Sequence, residues 1–158
     1  MRLASIRGWF DPRGRVSQPA YVRLVPRLLL LFVGALCAVV GIASLGLRAL
    51  SIVCLAGPLG LALAAFAQTI RRLHDRGRSG WWLALYLALL AINALPIERG
   101  ADAYPILVTG YALASLAVSL WFLVETLGRR GNAGANRHGP APDAAQLGPE
   151  RASTFSPQ

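Results

Sequence analysis

Lysine is absent: all 16 basic residues of this 158-residue chain are arginine, set against seven acids. Charge as a whole is scarce, at 15% of the residues, while 55% are hydrophobic. A soluble bundle needs a polar face on every helix. The run LLLLFVGALCAVVGIASLGL, Leu28 to Leu47, has none, which argues against a soluble fold. Cysteine is also sparse. Cys37 and Cys54 lie in apolar runs without His, Cys or acid at ligand spacing, so they are expected to pack as small apolar residues and to form neither disulfide nor metal site. No Gly-x-Ser-x-Gly element accompanies Ser79, His74 and Asp75, which share one short turn. A catalytic triad is therefore not expected, and the chain is read as non-enzymatic, with no cofactor. The pI near 11.2 comes with no recognisable DNA or RNA module, so nucleic acid is not an expected partner. No repeat of fixed period is evident.

What the chain does contain is four long, nearly charge-free runs: 28–47, 49–70, 81–97 and 104–127, the last with one acid, Glu125. A helix rises about 1.5 Å per residue and the hydrocarbon core is about 30 Å thick, so about twenty residues cross it. The fold class expected is an all-α membrane protein with four transmembrane helices. Twenty-seven residues precede a first apolar run of twenty, which fits a retained span better than a cleaved signal peptide. Three regions follow: an interfacial segment over 1–27, a four-span domain over 28–127 and a tail over 128–158.

Arginine placement gives the topology, because short loops rich in Arg stay in the cytoplasm. Fourteen arginines lie before span one, between spans two and three, or after span four; the other two turns hold only Arg48 and Arg99. Both termini and the Arg71 loop are thus expected to be cytoplasmic. Leu3, Ile6 and Phe10 recur at helical spacing beside Trp9, which suits a short amphipathic helix in the headgroup region. Asp11-Pro12-Arg13-Gly14 has the residues of a tight turn, Ser17 can cap the next helix with Pro19 in its first turn, and Pro26 should bend it. Gly34 with Ala38, Gly110 with Ala114 and Ser115 with Ser119 would let helix backbones approach in lipid, and Gly57-Pro58 predicts a kink in span two. No acid or base occupies the centre of a span, which weakens a transporter reading. Glu125 can pair with Arg129 one turn on. From Gly128 onward the Gly, Pro, Ala, Asn and Ser content predicts disorder.

Between spans two and three lies RRLHDRGRSGWW, Arg71 to Trp82. Gly77 is placed to end helix two in the left-handed conformation and Ser79 to cap helix three. Trp81 and Trp82 suit the headgroup boundary. Asp75 can pair with Arg71 or Arg72. Guanidinium forks match phosphate geometry, so Arg71, Arg72, Arg76 and Arg78 can also hold lipid phosphate or an acidic partner. His74 is the residue that capping and topology explain least.

RRLHDRGRSGWW resembles the signature of the bacterial inner-membrane proteins grouped as domain-of-unknown-function family 805. Gly14-Arg15-Val16-Ser17 is similar to the Gly-Arg-Ile-Ser element before that family's first span, and GANRHGPAP, Gly134 to Pro142, to its closing element. The chain departs at Gln18, His138 and Ala141, where the family tends to have Arg, an aromatic and Asp. The resemblance implies a small multi-pass protein of the bacterial cytoplasmic membrane and supplies no catalytic residues. By the topology above, all three elements share the cytoplasmic face. They are expected to form one basic surface with Arg15, Arg71, Arg72, His74, Asp75, Arg78 and Arg137 in or near it. Its expected partners are the lipid bilayer and anionic phospholipid, or a membrane-protein partner or a second copy of the chain. A small-solute transporter or channel component using the Gly57-Pro58 kink and Asn93, or a membrane-embedded enzyme acting on a lipid headgroup with His74 and Asp75 as acid and base, are the alternatives.

Overall fold

The computed structural model describes residues 7–97 and 102–142. Leu3, Ile6, Arg99 and residues 143–158 lie outside them. The described residues are all-helical, without β-strands: α1 (Arg7–Phe10), α2 (Gln18–Ser44), α3 (Arg48–Cys54), α4 (Ala56–Asp75), α5 (Trp81–Asn93) and α6 (Pro105–Leu123), which runs into a π-helical turn, Val124–Gly128. Three helical stretches are long and apolar enough to cross a membrane: Gln18–Ser44, the joined α3 and α4 over Arg48–Asp75, and Pro105–Gly128. The helix of the third apolar run, α5, is apolar but has only 13 residues. It stops at Asn93 rather than at Ile97 because Pro96 offers no N–H and disfavours helical geometry at Leu95.

Burial is inverted relative to a soluble protein. The largest fully buried side chains are Arg72, Leu73, Glu125 and Asp75, whereas Leu30, Val40, Ile52 and Ile106 are exposed. Apolar surface on this scale has to be covered by something other than water, which is compatible with a membrane protein.

Local chemistry sets the helix ends. Ser17 takes the N-cap position of α2 with Pro19 in the first turn, but its hydroxyl makes no capping bond. The helix starts well ahead of the apolar run and continues through Pro26. Span two breaks at Leu55, between α3 and α4. Pro58 explains the place: it cannot donate to the carbonyl of Cys54, four residues back, and its ring crowds that carbonyl. At the other end of α4, Gly77 has φ +70°. The Arg78 N–H donates to Leu73 O at 2.9 Å and the Gly77 N–H to His74 O at 2.9 Å, the two bonds of a Schellman closure. The N-cap of α5 is Gly80, not Ser79; a Cβ on Gly80 would lie 3.3 Å from Ile70 Cγ2, a tight contact at this crossing.

α4 is the central helix, touching α1, α2, α3, α5 and the π turn. The small apolar core joins Leu73 in its last turn to Leu83 in the first turn of α5 and Phe122 near the end of α6. Tyr86 stacks on Phe122 with ring centroids 4.1 Å apart. The core therefore lies at the arginine-rich end. Toward the opposite end, Asn93 Nδ2 donates to Ser115 Oγ at 2.8 Å and Tyr111 Oη to Asn93 Oδ1 at 2.7 Å, tying α5 to α6. Gly34 and Gly110 do not mediate close packing within the chain: a Cβ at either would meet nothing within 4 Å.

Candidate functional site at the arginine-rich end

Two buried carboxylates organise this end. Asp75 is the last residue of α4, where the negative end of the helix dipole disfavours an acid. Guanidiniums from two elements offset that. Arg15 Nε lies 3.0 Å and Nη2 2.9 Å from Asp75 Oδ1, and Arg72 Nη1 lies 2.5 Å from Oδ2. Gly14, at φ +82°, turns the chain into position, helped by Asp11, whose Oδ1 accepts the Arg13 N–H at 2.9 Å. The Val16 N–H then donates to Arg71 O at 3.3 Å.

The same guanidiniums gather the segment after α6. Arg15 donates to the carbonyls of Asn132 at 2.5 Å, Gly134 at 2.7 Å and Gly139 at 3.3 Å. Arg72 Nε donates to Thr126 O at 2.8 Å and its Nη2 to Arg129 O; Arg76 donates to Arg130 O at 2.5 Å. Residues 129–142 are therefore not disordered as their composition predicts. The carbonyls of Arg129, Arg130, Asn132, Gly134 and Gly139 accept from side chains elsewhere in the chain, and the Asn136–Gly139 bridge adds the segment's own backbone pairing. A Cβ on Gly131 would fall 1.8 Å from Asp75 Oδ2, so only glycine lets this strap close over the carboxylate.

Glu125 is the second centre, set in the π turn, whose altered winding changes which way successive side chains face. Its Oε1 accepts from Arg76 Nε at 3.2 Å and Arg78 Nε at 2.8 Å, and its Oε2 from Arg129 Nη1 at 3.1 Å. The expected Glu125–Arg129 pair is thus one of three. Arg78 also lies over two indoles, 5.0 Å from the Trp82 ring and 5.2 Å from the Trp121 ring.

A third cluster holds the histidines. His74 Nδ1 is 3.3 Å from Gly14 O, and its ring stacks on His138 with centroids 3.8 Å apart and planes 5° from parallel. Arg137 Nε donates to His138 Nε2 at 3.0 Å, which requires His138 to be neutral at that nitrogen, and Arg137 Nη2 donates to Gly77 O at 3.2 Å. Burial first, then the positive charge of His74, Arg137 and Arg15, pushes the His138 pKa below its usual range. Asn136 Nδ2 fastens the turn to His74 O at 2.9 Å.

The N-terminal turn, the Arg71 loop and the 134–139 turn are thus brought together. Arg15, Arg72, His74, Asp75 and Arg137 meet there, while Arg78 faces Glu125 and the indoles instead. They do not all form a surface, however. Arg15, Arg72 and Asp75 are buried, because they pair with one another and the two arginines also donate to backbone carbonyls, so Arg72 is support for the face rather than part of it. Arg71 is the least satisfied of the group. Its contacts to Gly8 O, Gln68 Oε1 and Arg15 O are each 3.5 Å long, and its enclosed Nε has no acceptor among the described residues. Asp75 and His74 are turned to different partners, guanidiniums for one and a carbonyl and a ring for the other. No group of three or more His, Cys, Asp or Glu that could hold a metal occurs among the described residues. The sequence carried one signal for the Glu125 hub, a lone acid in a 24-residue apolar run; it carried none for Gly131 or Asn132.

The family model described as "Protein of unknown function (DUF805)" matches residues 9–140. The chain belongs to this family. The matched region of this DUF805 chain runs from Trp9, whose carbonyl accepts from Gln68 Nε2 at 3.1 Å, to Pro140, just beyond the Asn136–Gly139 bridge, and so takes in both carboxylate centres and the strap. No curated protein and no solved structure matches the chain.

Proposed function

We propose that this chain is a non-enzymatic, four-span protein of the bacterial cytoplasmic membrane, with both termini cytoplasmic, whose arginine-rich face binds anionic phospholipid headgroups. The observation that carries the reading is an imbalance of charge. Asp75 and Glu125 pair with Arg15, Arg72, Arg76, Arg78 and Arg129, but Arg13, Arg23, Arg27, Arg71, Arg130 and Arg137 have no carboxylate partner among the described residues. The paired arginines build the face and the unpaired ones give it surplus positive charge. Fourteen of 16 arginines fall in the segments assigned to one side, which supports the orientation. Trp81, 78% exposed, supplies an interfacial anchor beside them. In this reading α5 is the third span in chain order, extended beyond Asn93 by the turn that runs to Ile97.

Each basic side chain near an anionic leaflet contributes about 1 kcal/mol. Changing Arg23, Arg27 and Arg71 together to Gln should therefore weaken retention of phosphatidylglycerol over phosphatidylcholine by up to about a hundredfold, with membrane insertion unchanged. Equal retention of the anionic lipid by the wild type and the triple variant would remove the basis for the proposal.

A further inference from the structure

A cleft of about 570 Å³ opens between the first turns of α5 and the last turns of α6, lined by Arg78, Trp82, Leu85, Tyr86, Val118, Trp121 and Phe122. Its polar end is Arg78, which the Glu125 hub holds. Three guanidiniums share that one carboxylate, which leaves an excess of positive charge beside the cleft. Glu125 engages Arg78 through Nε; the two terminal nitrogens of Arg78 have no hydrogen-bond partner among the described residues. The guanidinium lies against both indoles, which touch each other with ring centroids 5.1 Å apart. A fixed, planar, two-pronged donor of this kind matches two oxygens of a phosphate.

The remainder of the cleft is apolar and continues in one direction. Leu85 lies one turn beyond Trp82 along α5, and Val118 one turn before Trp121 along α6; both are exposed. The cleft therefore grades from cation to indole to aliphatic side chain, the order of phosphate, glycerol and acyl chain in a phospholipid. We propose that the Arg78–Trp82–Trp121 cleft is a discrete binding site for one anionic phospholipid, its phosphate on the terminal nitrogens of Arg78 and the start of an acyl chain along Leu85 and Val118. The site rests on the membrane reading above and narrows it from a diffuse basic face to one pocket.

Native mass spectrometry of the full-length chain, titrated separately with phosphatidylglycerol, phosphatidylcholine and inorganic phosphate, tests the site. Phosphatidylglycerol should form a one-to-one adduct that Arg78→Gln weakens at least about tenfold, the loss expected of a charge-assisted pair, and that Arg78→Lys weakens less. Val118→Trp fills the cleft without changing charge and should abolish the adduct too, so the site remains testable if the Arg78 variant does not fold. Inorganic phosphate binding as tightly as the lipid would overturn a phospholipid as the occupant. If Arg78→Gln and Val118→Trp bind like the wild type while the Arg23, Arg27 and Arg71 variant loses lipid, this site is wrong and the general face survives. If none of the variants loses lipid, both proposals fail.

Discussion

Asp75→Asn is the sharpest test of the buried arginine cluster. The substitution keeps shape and removes one negative charge, leaving Arg15 and Arg72 enclosed at a helix end without their counterion. Breaking a buried pair by removing one partner costs about 3–5 kcal/mol, whereas an exposed pair is worth about 0–1 kcal/mol. The two carboxylate oxygens take three guanidinium contacts at 2.5–3.0 Å, and the Asp75 side chain is 2% exposed, so the higher range applies. Arg15 also holds three carbonyls of the strap, which makes the loss a shared one: residues 129–142 should come free together with Arg15. Proteolysis of the native chain in nanodiscs should show cleavage within 131–139 accelerated by on the order of a hundredfold or more, since 1.4 kcal/mol is a factor of ten. Cleavage accelerated less than about fivefold would mean that the pair behaves as a surface contact and would refute the cluster as the strap's anchor.

Other outcomes follow from neighbouring geometry. Gly131→Ala should loosen the same strap by collision rather than by charge, because the added Cβ meets the Asp75 carboxylate at 1.8–2.7 Å; hydrogen exchange at 132–139 should rise in that variant, and unchanged protection would contradict the contact. His138 has a depressed pKa in the docked strap, so the released strap binds the proton more readily: docking should be tightest above about pH 6.5 and weaken as pH falls below it. His138→Phe keeps a ring for His74 to stack on and should reduce that pH response, leaving the part due to His74, whose pKa burial also lowers, as measured by exchange at pH 7.5 and 5.5. Asn93→Leu should cost no more than about 2 kcal/mol in thermal stability, the upper end measured for hydrogen bonds between membrane helices; a larger loss would mark Asn93 as more than an α5–α6 tie.

Parts of this architecture were legible in the sequence because they depend on neighbours. Gly77 closes α4 as its position predicts, Glu125 reaches Arg129 one turn on, and charge-free runs mark the long helices. Arg72 finds Asp75 three residues away for the same reason. Arg15 and Asp75 are 60 residues apart, and no local periodicity records that a turn at Gly14 brings them together. The order of the strap is not local: its Gly, Asn and Pro residues favour no regular element, and order is imposed by donors from Arg15, Arg72 and Arg76. Helix α5 falls short of the apolar run because a charge-free run admits Pro96 as readily as Leu95, while Pro96 ends the backbone bonding. Arginine content signalled a phosphate-binding loop, yet Arg72 is fully buried and spends its charge on Asp75, so the lipid reading shifts to Arg71, Arg78 and the arginines of the flanking segments.

The most direct measurement is the lipid composition around the full-length chain extracted from native membranes in polymer discs without detergent, compared with the bulk membrane. Anionic phospholipid enriched around the wild type, with the enrichment reduced in Arg78→Gln, is the predicted result. A shell with the bulk composition in both would contradict an arginine-rich face that holds lipid phosphate.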